Sequence, residues 1–278
     1  LDKVELAPKM DLIADRCTDK VDVYHISFGN IKGTRMYGVL TMPKKEGKYP
    51  SILKVPGAGV HAMSGNVAWA AKGAIVLEIG IHGIPVILES GLYSDLSNGV
   101  LSNYVLHGIE NRDTYFFRRV YLGCVKAVDF LLSLPKSNGK VGVIGGSQGG
   151  MLSLATSYLD KRISATGVYF PAFCDQEAYM HGRTGGWPHF FKNKENCKKE
   201  YLETARYYDG ANFARKLTAP VYYAYGYNDI TCGPTTSSAT YNAITAPKQV
   251  VIGANEGHWL FPEHINGMWE WMIKELTK

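Results

Sequence analysis

The run Lys140-Val141-Gly142-Val143-Ile144 leads straight into Gly145-Gly146-Ser147-Gln148-Gly149-Gly150, and an apolar stretch with Met151, Leu152, Leu154 and Ala155 follows. A short continuous apolar run bounded by glycines reads as a strand buried on both faces. The residues after it read as a helix, so the chain must reverse from strand to helix within a few positions. Glycines on either side let neighbouring backbone pass close by, and the serine is left at the tip of the turn. There its hydroxyl sits at a helix N-terminus, where the dipole favours developing negative charge. The same residues also fit a plain glycine-rich turn with a helix-capping serine; the strand before and the helix after favour a nucleophile.

The rest of the chain supplies a sheet for that turn. Val21–Phe28 alternates apolar and other residues, and Arg35–Met42 follows after turn signals at Gly29-Asn30 and Lys32-Gly33, so the two are expected to pair antiparallel at one edge. Ser51–Val55, Ala74–Ile79, Ile163–Phe170, Ala219–Tyr225 and Lys248–Ile252 are further short apolar strands. Arg112–Leu134 has helical spacing and ends at Pro135, and Ile265–Leu276 reads as a closing amphipathic helix. Short strands alternating with helices predict an α/β fold with a mostly parallel sheet covered on both faces. Residues 171–216 break the pattern with Gly, Trp, Lys and Asn, and are expected to be an insertion near the active site. With 278 residues, 46% of them hydrophobic, the chain can bury a large core, and a single domain over residues 1–278 is expected.

Composition also narrows the partners. The formal charge is +5, and basic residues cluster no further than pairs such as Lys44-Lys45 and Lys198-Lys199. Nucleic acid and anionic membranes need a denser footprint, so neither is expected as a partner. No apolar run approaches the ~20 residues that span a bilayer. The five cysteines (Cys17, Cys124, Cys174, Cys197, Cys232) form no C-x-x-C pair, no H-E-x-x-H is present, and neither a metal nor a cofactor is expected. The first residue is Leu1 rather than Met, which leads us to expect a processed chain, with a preceding segment or domain and a secreted or periplasmic setting.

A serine needs a base oriented by a third group, and in this type of turn the order along the chain is Ser, acid, His. Of eight histidines, only His258 and His264 follow the last expected strand. His258 stands in a glycine-containing loop, whereas His264 reads as the start of the final helix. For the acid, Asp229 follows the strand Ala219–Tyr225; Asp209 precedes that strand, and Glu256 lies too close to His258 to reach around the imidazole. An oxyanion hole would combine the N–H of Gln148 with one from the loop Val55-Pro56-Gly57-Ala58-Gly59, where Ala58 is the expected donor.

These residues resemble the acetyl xylan esterase and cephalosporin C deacetylase family, carbohydrate esterase family seven, from about Val21 to the final helix. The most specific stretch is Gly108–Arg119, with further matches at Gly145–Gly150, Tyr208–Ala214, Asp229 with Cys232–Thr236, and Tyr241-Asn242. The resemblance implies an α/β-hydrolase fold and the triad Ser147, Asp229 and His258, at intervals of 82 and 29 residues. It also implies acetylated carbohydrate as substrate, and assembly as a homo-oligomer built from dimers. The family's second oxyanion donor, a tyrosine N–H, falls on Ala58. Two departures stand out. Where the family has Arg-Gly-Gln, this chain reads Glu78-Ile79-Gly80-Ile81-His82-Gly83, so the support those residues give must come from elsewhere. Where the family's histidine is followed by Glu, here Glu256 precedes His258 by two.

Deacetylation of acetylated xylan or xylo-oligosaccharides is thus the leading expectation, with Trp187, Trp259 and Tyr93 as candidates for a substrate-facing rim. A general carboxylesterase or small peptidase, and a catalytically silent carbohydrate-binding homologue, are the alternatives.

Overall fold

The computed structural model describes residue 1 and residues 3–278. Nine strands form one mixed sheet: β1 Lys9–Leu12, β2 Val21–Gly29, β3 Arg35–Pro43, β4 Tyr49–Lys54, β5 Ile75–Gly80, β6 Ser137–Gly146, β7 Ile163–Tyr169, β8 Val221–Gly226 and β9 Lys248–Gly253. Their order is β1-β2-β3-β5-β4-β6-β7-β8-β9. The first three strands pair antiparallel, and β3 also meets β5 antiparallel, through Tyr37↔Gly80 to Thr41↔Val76. From β5 onward every pairing is parallel. The expected antiparallel edge is therefore present, extended by β1. That strand carries no recognisable sequence signal because all four of its residues are exposed, and no buried face imposes a pattern on it.

Helices α1 Val67–Ala71 and α8 Pro262–Thr277 cover one face; α3 Phe116–Ser133 and α4 Gln148–Leu159 cover the other. The strand period of two feeds both layers. Ile52, Val76 and Ile144 join the Trp69, Trp269 and Met272 cluster on the α1/α8 side, while their successors or predecessors Leu53, Leu77 and Val143 pack with Phe117, Val128 and Leu152 on the other. Val141 and Val143 are fully buried in the strand that carries the serine. At ~1.5–3 kcal/mol for each large aliphatic side chain removed from water, such strands make a rigid base.

Helix α3 starts at Phe116, four residues later than its spacing predicts. Asn111 accounts for the difference: its carbonyl accepts from Thr114 and Tyr115 N–H, and its side chain from Asp113 N–H, so these residues form a turn. The strand β6 begins at Ser137 and is longer than the apolar run Lys140–Ile144 suggests. Residues 171–216 fold into short 3-10 turns followed by α5 Lys199–Tyr208 and α6 Gly210–Ala214. Asp209 ties this segment together, accepting from Asp175, Gln176 and Ala211 N–H at 2.9 Å each. Two further helices, α2 Ser90–Asn98 and α7 Pro234–Ala243, lie after β5 and β8.

Candidate active site

The loops after β4, β5, β6, β8 and β9 meet at the carboxyl edge of the parallel strands, the place where open α/β sheets form crevices. One residue, Ser147, makes the whole turn between β6 and α4. Its φ of 56° and ψ of −123° are strained for a residue with a side chain. Neighbouring backbone holds it there: Ser147 N–H donates to Tyr169 O at 3.1 Å, and Ser147 O accepts from Ala172 N–H at 2.9 Å. Gly149 is required by close approach, since a Cβ there would run into the carbonyl oxygens of Val55 and Pro56.

His258 Nε2 lies 3.0 Å from Ser147 Oγ, and His258 Nδ1 lies 2.8 Å from Asp229 Oδ2. A neutral imidazole satisfies both contacts when Nδ1–H donates to the carboxylate and Nε2 accepts the serine proton. The other Asp229 oxygen accepts from Thr231 and Cys232 N–H, both at 2.8 Å, which fixes the carboxylate and leaves Oδ2 for the histidine. Asp229 is 2% exposed, so its hydrogen bonds do not compete with bulk water. Cys232 is buried beside it, and burial pushes its thiol well above the usual range, so it stays protonated.

The histidine loop is clamped onto the aspartate loop. Tyr227 N–H donates to Gly253 O at 2.8 Å, Asn228 N–H to Glu256 O at 2.9 Å, and Asn228 Nδ2 to Ala254 O at 3.1 Å. Gly226 allows this closure, because a Cβ on it would collide with the carbonyls of Glu256 and Gly257. Glu256, the acid two residues before His258, accepts from Phe261 N–H at 2.6 Å and so braces the loop from within. Asp209 has its oxygens taken by backbone amides, and burial raises its carboxyl to about 6. Neither of these acids forms a hydrogen bond or ion pair with His258 among the described residues.

Gln148 opens α4, and its N–H, like that of Ala58, donates to no protein acceptor among the described residues. Beside Ser147 lies a cavity of about 570 Å³, walled by Trp69, Trp269, Tyr169 and Phe170, with the Lys54–Glu78 ion pair and Asn66 among its polar groups. Trp69 and Trp269 stack at 5.1 Å.

The three rim candidates lie elsewhere. Tyr93 is 4% exposed; its hydroxyl donates to Pro85 O at 2.8 Å and accepts from Leu88 N–H at 2.9 Å, so burial and these bonds make it a brace for the loop after β5. Trp187 is half-buried against Phe173, and Trp259 is half exposed against Phe261. None of the three lines the cavity. Lys54, Glu78, Trp69 and Trp269 escaped the sequence reading, although a lysine inside the apolar run Ser51–Val55 was a usable signal.

The sheet and the strand-to-helix serine define an α/β-hydrolase. More narrowly, the chain belongs to the acetyl xylan esterase (AXE1) family, whose profile matches residues 1–275. It is 40% identical over 265 residues to the acetyl esterase Axe7A of Xylanibacter ruminicola, an alignment covering 93% of this chain and 60% of that protein. The chain thus spans about 60% of the length of that relative. Among solved structures it is similar to an acetyl xylan esterase from Paenibacillus sp. R4, at TM-score 0.81 and 27% identity, over 96% of this chain and 88% of the other. Acetyl xylan esterase 1 from Thermoanaerobacterium sp. JW/SL YS485 has the same fold, at TM-score 0.84 and 21% identity, over 99% and 90% of the two chains.

Proposed function

We propose that this chain is a serine esterase that removes acetyl groups from acetylated xylan or xylo-oligosaccharides through an acetyl-enzyme. The observation that carries this reading is the relay from Ser147 through His258 to Asp229, with two N–H groups, of Gln148 and Ala58, that have no protein acceptor among the described residues. His258 takes the serine proton as Oγ attacks the acetyl carbonyl. Asp229 holds the imidazole in the required tautomer and stabilises it once it is charged. The N–H groups of Gln148 and Ala58 receive the oxyanion, each such donor being worth roughly 2.7–4 kcal/mol in the transition state. His258 then returns the proton to the departing sugar hydroxyl, and water attacks the acetyl-enzyme by the same route.

The cavity supports a sugar as the leaving group. Aromatic walls suit the apolar face of a pyranose, and the Lys54–Glu78 pair with Asn66 suits its hydroxyls. Family membership and the named activity of the 40%-identical relative support acetyl as the acyl group.

The test compares wild type with Ser147→Ala on p-nitrophenyl acetate and on acetylated xylan, reading released acetate. Turnover should fall by ~10⁴-fold or more in the variant. Undiminished turnover would remove Ser147 from its role, and a preference for long acyl esters over acetyl would point to a general carboxylesterase instead.

A further inference from the structure

We propose that the Gln148 side chain aims the Ala58 N–H at the oxyanion, so that one residue serves both donors of the hole: the first through its own backbone, the second by gripping the peptide that carries it. This assignment rests on the esterase reading above and makes Gln148, Tyr104 and His82 positioning residues for it.

Gln148 is fully buried, so its side chain has no water to bond with and must be satisfied inside. Its Nε2 donates to Gly57 O at 3.1 Å and to Pro56 O at 3.3 Å. The Gly57 carbonyl and the Ala58 N–H belong to one trans peptide, in which the two point in opposite directions. Holding that oxygen toward the buried amide therefore turns the Ala58 N–H outward, on the exposed side of the loop. Backbone at Gly57 and Gly59 has little intrinsic stiffness. The glycines bring the loop close to α4, and the side-chain bonds supply the rigidity they lack.

A second grip holds the next residue. Gly59 N–H donates to the Tyr104 hydroxyl at 3.0 Å, and Gly59 O accepts from His82 Nε2 at 2.9 Å. The Tyr104 hydroxyl donates in turn to Gln148 Oε1 at 2.7 Å, closing a ring from Gln148 through the loop and back. Every direction in the ring is forced. Carbonyls only accept, so the amide nitrogen of Gln148 must face Pro56 and Gly57, and His82 must carry its proton on Nε2. The His82 ring meets Tyr104 edge-on at 4.6 Å, and burial lowers its pKa to about 4, keeping it a neutral single donor. His82 stands where the family has the glutamine of Arg-Gly-Gln, so the loop support sought from elsewhere comes from this ring.

The experiment measures p-nitrophenyl acetate turnover per titrated serine, together with inhibition by 1,1,1-trifluoroacetone. That ketone adds to Ser147: the Oγ–C bond forms, the carbonyl becomes an oxyanion, and the serine proton passes to His258. Gln148→Met keeps the backbone N–H but loses all three side-chain bonds, those to Pro56 O and Gly57 O and the one from Tyr104. Its kcat should fall ~100-fold with KM little changed, and trifluoroacetone affinity should fall by the same factor. Tyr104→Phe, which opens the ring at one point, should lose up to ~10-fold in both readouts. His82→Gln, which retains a donor for Gly59 O, should keep more turnover than His82→Phe.

Gln148→Met with kcat per site and trifluoroacetone affinity within twofold of wild type overturns the assignment. A lower melting temperature and fewer titratable serines, with the surviving sites unimpaired, also overturns it, because that is the signature of a purely structural role. Should Gln148→Met fail to fold, Tyr104→Phe decides: unaltered trifluoroacetone affinity there is equally fatal. A wild type inert toward p-nitrophenyl acetate overturns the esterase reading as well, whereas an active wild type with an indifferent Gln148→Met overturns this inference alone.

Discussion

His258 and His264, six residues apart near the end of the chain, each face a buried carboxylate, and the two pairs are equally close. His258 Nδ1 is 2.8 Å from Asp229 Oδ2, and His264 Nδ1 is 2.8 Å from Glu256 Oε1. Both acids are almost wholly buried, and both imidazoles are 29% exposed. What separates them is alignment and the far side of the ring. The Asp229 contact is a directed hydrogen bond, and His258 Nε2 goes on to Ser147. The Glu256 contact is a close approach in which His264 Nδ1 lacks hydrogen-bond geometry, and Glu256 uses its other oxygen to hold Phe261 N–H. Proximity to an acid is therefore not what sets His258 apart from His264; a second partner on the opposite nitrogen is.

The sharpest way to break the comparison is Asp229→Asn. The amide can still approach His258 but favours the wrong tautomer, and kcat should drop by ~10⁴-fold with the melting temperature nearly unchanged. Steady-state kinetics beside a thermal melt would check this, and a loss under tenfold would erase the distinction between the pairs. Glu256→Gln should do the reverse. It keeps an oxygen for Phe261 N–H and removes only the charge facing His264, so it should cost about 1 kcal/mol of stability and less than threefold in turnover.

The smallest effect sharpens the contrast with a histidine, His82, that has no acid partner among the described residues. Burial lowers the His82 pKa from 6.5 to about 4, with Arg119 and His61 adding to the effect and the Gly59 carbonyl opposing it. Since the unfolded chain binds the proton first, His82 must lose stability as pH falls from about 6.5 toward 4 and has its full contribution above that window. Denaturant titrations of wild type and His82→Gln at several pH values should therefore converge as the pH is lowered. A constant gap would contradict this sign.

The sequence announced the relay better than its supports, for a physical reason. Ser147, Asp229 and His258 each follow a strand whose apolar run can be read locally, and chain order then assigns the roles. The inner parallel strands such as β5 and β8 were legible because burial on both faces leaves an unbroken apolar signature, whereas β1 has no buried face and left none. Tyr104, His82 and the gripping amide of Gln148 act through hydrogen bonds that span 44, 23 and 91 residues of sequence. Such bonds depend on the finished fold, and no local periodicity encodes them. The cavity residues were hidden similarly: Trp69 and Trp269 are 200 residues apart in sequence and meet only when α1 and α8 are laid on the same face of the sheet.

The closure of the His258 loop over Gly226 has one more consequence. Serine, aspartate and histidine hang from three separate strand ends, and the last two are joined by backbone bonds between the loops after β8 and β9. Because β9 is the outer strand of the sheet, a slip of about an ångström at that border is enough to cost the Asp229–His258 bond its geometry. Helix content would hardly register such a slip. On the esterase reading, turnover is thus a strain gauge for the sheet's outer seam, and on warming it should be lost before the circular dichroism changes.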